Sequence, residues 1–313
     1  MKMSRFIAWF PTLAFATALA AGQAVPQAQG GHAVGAQTGL DQRVELTPAE
    51  REAQARQRYE QDLAAPNPIP VPDTVWMEEL TYLGVRDAMK AGKTAALIFA
   101  AGMEQNGPYL ALGKHQYQVR MTGEVIARKL GNALIAPIIT LESGNPDDKF
   151  LSWGSTYITE ETFRSILRDM VRSLKSQGFK DIFMMGDSGS NAAGLAAVSQ
   201  ELTEQWKGNP GVYHIREYYD WDSVRKFITD SGIPEKLRSD GIHDEYSATA
   251  LLMAHDPKLV NFDARVKAGR ATINGVSLVP KEKTIEFGKK IAHFRADKTV
   301  EAIKMVLAAT SKN

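Results

Sequence analysis

Ala95–Ala101 (AALIFAA) runs directly into Gly102-Met103-Glu104-Gln105-Asn106-Gly107-Pro108, and Asp181–Met185 (DIFMM) into Gly186-Asp187-Ser188-Gly189-Ser190-Asn191. Each run is short, β-capable and bounded by chain breakers, which reads as a buried parallel strand. Helical periodicity follows each of them. In open α/β sheets the ligand site lies beyond the carboxyl ends of the strands. The two turns are therefore expected to bring Glu104, Asp187 and Ser188 to one crevice.

The same alternation extends outward. Strands are predicted over Ala133–Pro137 and Val212–Ile215. Helices are predicted over Val75–Ala91, Tyr117–Leu130, Glu160–Gln177, Ala192–Trp206, Ser223–Ser231, Asp244–Ala254 and Asp297–Ala309. Thr272–Pro280 reads as an edge strand or hairpin. This order implies a three-layer α/β/α sandwich around a mainly parallel sheet.

Upstream, Lys2 and Arg5 precede an apolar run, Phe6–Ala20, with small residues after it. Residues 1–21 read as a signal peptide, too short in its apolar part to span a membrane, so export to a periplasm or beyond is expected with no stable membrane anchor. Residues 22–72 read as a polar extension. It holds an Ala/Gln/Gly-rich linker and one helix, opened by the capping box Thr47-Pro48-Ala49-Glu50 and running to about Leu63. Residues 73–313 form the α/β domain. The chain has no cysteine, which excludes disulfides, thiolate metal sites and a cysteine nucleophile. Its formal net charge of +1, without blocks of like charge, gives no footprint for nucleic acid.

From about Trp76 to Leu307 the chain resembles the creatininase family of metal-dependent amidohydrolases. The family segment Glu-Gln-His-Gly-Pro-His-Leu-x-Leu-Gly-x-Asp stands here as Glu104-Gln105-Asn106-Gly107-Pro108-Tyr109-Leu110-Ala111-Leu112-Gly113-Lys114-His115. Gly-His-Gly-Gly-Asn stands as Asp187-Ser188-Gly189-Ser190-Asn191, and His-Ala-Gly-x-x-Glu-Thr-Ser as His243–Ala250. Typical members ligate two metals through the Glu, His and Asp of the first segment and the His of the second. Here only Glu104 is retained; Asn106, His115 and Ser188 stand at the other three positions, and Ala248 replaces the late Glu. A carboxylate can bridge two cations, whereas a neutral imidazole presents one lone pair.

The resemblance implies hydrolysis of a C–N bond in a cyclic or small amide, and a homo-oligomer such as a hexamer. The expected cofactor is a divalent ion, zinc, manganese or iron, one per site rather than two, held by Glu104, His115 and Asp187. His243, Glu245 and Ser188 are candidate catalytic residues. Asn106, Ser190, Asn191, Trp153 and Tyr219 are candidates for holding the substrate, the turn amides for holding an oxyanion. Two further readings stay open. One is a non-catalytic exported binding protein that has lost its metal centre. The other is a serine hydrolase built on Ser188, with Asp220 or Asp240 and His243; it requires a hydrogen bond between Ser188 and a histidine.

Overall fold

In the computed structural model, which describes residues 46–236 and 243–310, the elements follow one another as α1 (Pro48–Ala64), α2 (Tyr82–Lys90), β1 (Ala95–Ala100), α3 (Lys114–Leu130), β2 (Ala133–Ile135), β3 (Glu142–Ser143), β4 (Tyr157–Ile158), α4 (Glu160–Gln177), β5 (Asp181–Gly186), α5 (Ala192–Trp206), β6 (Gly211–His214), α6 (Trp221–Asp230), α7 (Tyr246–His255), α8 (Phe262–Lys267), β7 (Thr272–Ile273), β8 (Val276–Ser277) and α9 (Lys281–Thr310). The expected signal peptide and linker fall outside the described residues. No helix among the described residues is long and apolar enough to cross a membrane.

The described residues divide into two units between Arg56 and Gln57, within α1. In the first, the capping box forms as the sequence requires: the Thr47 amide donates to Glu50 Oε2 at 2.8 Å, and the Glu50 amide to Thr47 Oγ1 at 3.3 Å. Helix α1 has no buried residue.

The second unit holds the sheet, in the order β2-β1-β5-β6 with every pairing parallel. All six residues of β1 are buried, because helices cover both faces. Alternate residues serve opposite layers. Ala95, Leu97 and Phe99 pack with Val119 and Ile126 of α3 and Ala296 and Ile303 of α9. Ala96, Ile98 and Ala100 pack with Phe163 and Leu167 of α4 and Leu195 and Val198 of α5. The result is the expected three-layer α/β/α sandwich. A third apolar cluster joins α6, α7, the β7–β8 hairpin and the first half of α9 beside the main layers.

Several boundaries differ from expectation for local reasons. Val75–Ala91 is not one helix: a 3-10 turn at Met77–Glu79 ends at Leu80, and Thr81 caps α2 by accepting from the Gly84 amide at 3.0 Å. Helix α3 begins at Lys114, three residues earlier than expected, with Gly113 at its N-cap. Helix α7 begins at Tyr246 rather than Asp244. Helix α9 begins at Lys281, not Asp297, because tertiary packing holds its first half against α7 despite the glycine inside it. At that glycine, Gly288, an added Cβ would lie 2.0 Å from the Ala250 carbonyl oxygen. Gly288→Ala is thus expected to force α7 and α9 apart and lower stability by about 1–3 kcal/mol, read by thermal unfolding. Unchanged stability would mean that the two helices do not meet here.

Candidate active site

At the end of β1 the chain turns through Gly102–Pro108, and Asn106 shapes this turn from inside. Its Nδ2 donates to the carbonyls of Glu104 at 2.8 Å and Ala111 at 3.1 Å. Asn106 is fully buried and does not line the cavity, so it fastens the loop rather than touching a ligand. The loop presents Glu104 to the first turn of α3, where unpaired backbone N–H groups favour an anion.

Three nitrogens converge on one oxygen there. Glu104 Oε1 lies 2.7 Å from His115 Nε2, 3.3 Å from Lys114 Nζ and 3.3 Å from His243 Nδ1. Lys114 also donates to the His243 carbonyl at 3.2 Å. The other ring nitrogen of His115 faces Asp187 Oδ2 at 3.7 Å, and Asp187 Oδ1 is paired with Arg295 Nη2 at 2.6 Å. Arg295 donates further to the Tyr218 carbonyl at 3.2 Å, with its guanidinium over the rings of Tyr218 and Trp221. The outcome is a buried chain of alternating charge from Lys114 through Glu104, His115 and Asp187 to Arg295, with the half-exposed His243 at its cavity end.

Titration follows from this arrangement. Burial opposes ionisation of Glu104, but the His115 hydrogen bond and the nearby Lys114, His115 and His243 outweigh it and hold the carboxyl at about 2. Burial likewise opposes a charged His115, yet the carboxylates of Asp187 and Glu104 raise it above its ordinary value. Asp187 is held low against its burial, chiefly by Arg295.

A second group sits across the cavity. Glu142, on β3, is 2% exposed and accepts hydrogen bonds from Ser188 Oγ and, at 2.6 Å, from Ser190 Oγ. Its other oxygen, Oε2, is buried without a partner. Gly102 makes room for it: a Cβ there would meet Glu142 Cβ at 2.3 Å. Sequence reading missed Glu142, since a lone acid in a loop-like stretch carries no period; the two serines facing it were the available signal. Ser188 therefore donates its hydroxyl hydrogen bond to a carboxylate and has no histidine partner among the described residues, which is not the arrangement a serine nucleophile needs. Asp220 caps α6 by accepting from the Ser223 amide at 3.0 Å, and Asp240 lies outside the described residues.

Glu104, Lys114, His115, Glu142, Ser188, Ser190, Tyr219, His243 and Glu245 line one cavity of about 860 Å³, with Tyr157 and Trp221 among its walls. Asp187 lies beneath it, fully buried. Trp153 is 98% exposed and is not among the lining residues, so it does not wall the pocket as expected. Asn191 is turned into the protein, where its Oδ1 accepts from the Ser143 amide at 3.1 Å. Gly189, one expected oxyanion donor, is packed beside the Tyr219 hydroxyl. His243 adopts φ +60, a left-handed backbone that is uncommon outside glycine and recurs at functional sites.

The donor set was expected to hold a metal, and its geometry does not fit one. Glu104 and His115 are hydrogen-bonded to each other at 2.7 Å, closer than two ligands of one tetrahedral ion stand. The orphaned atoms His115 Nδ1 and Asp187 Oδ2 are only two donors, beside a carboxylate already neutralised by Arg295. Among the described residues no group of three or more His, Asp and Glu is arranged to hold a metal ion. Glu104, His115 and Asp187 are brought together, but as a chain of ion pairs.

The family model for creatininase, creatinine amidohydrolase, matches residues 78–303. Among solved structures, a creatinine amidohydrolase (creatininase) is 18% identical with a TM-score of 0.54, covering 76% of this chain and 98% of that one. A manganese creatininase is 17% identical with a TM-score of 0.55, covering 74% and 98%. A mutant creatininase of Zn-Zn type is 18% identical with a TM-score of 0.54, covering 75% and 98%. No curated protein sequence matches significantly. The structural likenesses give the fold, the family match spans most of the domain, and on that match this chain belongs to the creatininase family.

Proposed function

We propose that the chain hydrolyses the C–N bond of a small or cyclic amide bound in the 860 Å³ cavity. The observation that supports this reading best is convergence. Segments far apart in sequence bring Glu104, His115 and His243 into contact, with Asp187 behind them, at the carboxyl ends of β1 and β5. Water must lose a proton as it adds to the amide carbon, and the leaving nitrogen must gain one. Glu142, oriented by the two serine hydroxyls, is the base that takes the proton of water. His243, whose side chain is half-exposed, returns a proton to the nitrogen. Tyr157, Tyr219 and Trp221 supply the apolar walls that small-molecule sites use. Solved creatininases include Zn-Zn and Mn forms; the residues here do not fit such a centre. Export and homo-oligomer formation belong to the same reading, supported by the N-terminal pattern and the family resemblance.

The test is a panel of lactams, cyclic ureides and small linear amides incubated with the full chain, with product amine and carboxylate followed by NMR. One class is expected to be consumed, and His243→Gln to lower kcat/KM by about 10- to 100-fold with the fold intact. Consumption of no amide, with a ligand still found by thermal shift, would instead support the non-catalytic binding protein.

A further inference from the structure

The cavity has a buried lysine in its wall. Lys114 is 4% exposed. Long lysine side chains ordinarily reach out to water, and burying an ammonium is costly unless it is paired. Here the first turn of α3 directs the side chain inward, between Glu104 Oε1 at 3.3 Å and the His243 carbonyl at 3.2 Å. An ammonium carries three hydrogens. Glu104 and the His243 carbonyl take two, which leaves one on a residue that lines the cavity. The ammonium has no lone pair to offer a metal, and it stands on the one carboxylate that the family's metal-binding segment retains here. The floor is also balanced without a metal: Lys114 and Arg295 answer Glu104 and Asp187. A divalent ion on Glu104 would add two charges beside the Lys114 ammonium, at a distance where like charges repel strongly.

We propose that Lys114 does on Glu104 what a divalent ion would do: its ammonium closes the site to metal and supplies the positive charge that meets the carbonyl oxygen of the ligand. The second half of this inference rests on the amide reading above; the first half is independent of it.

The experiment is titration of the full chain, freed of metal with chelator, with ZnCl2 and MnCl2 by calorimetry. It requires no substrate, so its outcome is separate from whether any amide is hydrolysed. Wild type is expected to bind neither ion specifically. Lys114→Met, which keeps most of the side-chain length and removes the charge, is expected to gain specific Zn²⁺ binding, roughly 100-fold tighter than the non-specific limit of wild type. The charge-retaining Lys114→Arg, which also serves as a check on folding, is expected to remain closed. Stoichiometric Zn²⁺ binding by wild type that is lost in Glu104→Gln would overturn the proposal. So would a folded Lys114→Met that still binds no Zn²⁺, because the ammonium would then not be what excludes the ion.

Discussion

Arg295→Met is expected to lower the stability of the α/β unit by about 3–5 kcal/mol, the range for breaking a buried ion pair from one side. Arg295 and Asp187 are 3% and 0% exposed, and their 2.6 Å contact is the strongest support Asp187 has. Methionine fills much of the space between the Tyr218 and Trp221 rings but leaves the carboxylate facing only His115. The cost is that of an uncompensated buried charge rather than of lost packing. Asp187→Asn combined with Arg295→Met should therefore recover most of the loss, since both charges leave together. Urea unfolding of the three variants at neutral pH measures this through the midpoint at constant m. A single-variant loss within about 1 kcal/mol would show that the pair is not what holds Asp187.

The second large effect is on pH dependence. Glu104 is held at about 2 against an ordinary 4.5, so its contribution to stability is complete above pH 4.5 and is lost as pH falls through about 2. The drop is on the order of 3 kcal/mol. His115 has the opposite sign: its value is raised above 6.5, so its contribution is complete below pH 6.5 and is lost as pH rises through the raised value. Stability should then be highest between pH 4.5 and 6.5, with decline on both sides. His115→Gln should flatten the alkaline decline and also shrink the acid one, because His115 is foremost among the groups that hold Glu104 low. Urea midpoints across the range provide the measurement, and an unchanged alkaline decline in that variant would mean that another group titrates.

Much of this architecture is legible residue by residue. The 3.6-residue spacing of Phe163, Leu167, Val171 and Leu174, between Thr159 and Gly178, places α4 at its observed bounds. The breakers around AALIFAA and DIFMM place β1 and β5 to within one residue. Glu104, His115, Asp187 and His243 could be brought to one place because strand-end turns and helix starts share one edge of a parallel sheet. What escapes sequence reading depends on distant partners. Glu142 acquires its setting only from serines 46 and 48 residues later. Arg295 lies on a helix, where a basic residue usually reads as solvated, and only the packing of α9 against the sheet turns it inward. Asn106 stands at a family ligand position, yet its amide is used up by carbonyls of its own loop.

The link between Asp187 and α9 also bears on the order in which the domain can be completed during synthesis. Asp187 emerges from the ribosome 108 residues before the arginine that neutralises it. Strands β1, β2, β5 and β6 are all made by then, so the nascent sheet carries a carboxylate whose burial has to wait. Until α9 docks, the Asp187 carboxylate lacks the partner that neutralises it. A chain cut short before Lys281 would lack that arginine, so burial of Asp187 is expected to wait on α9 wherever the domain folds.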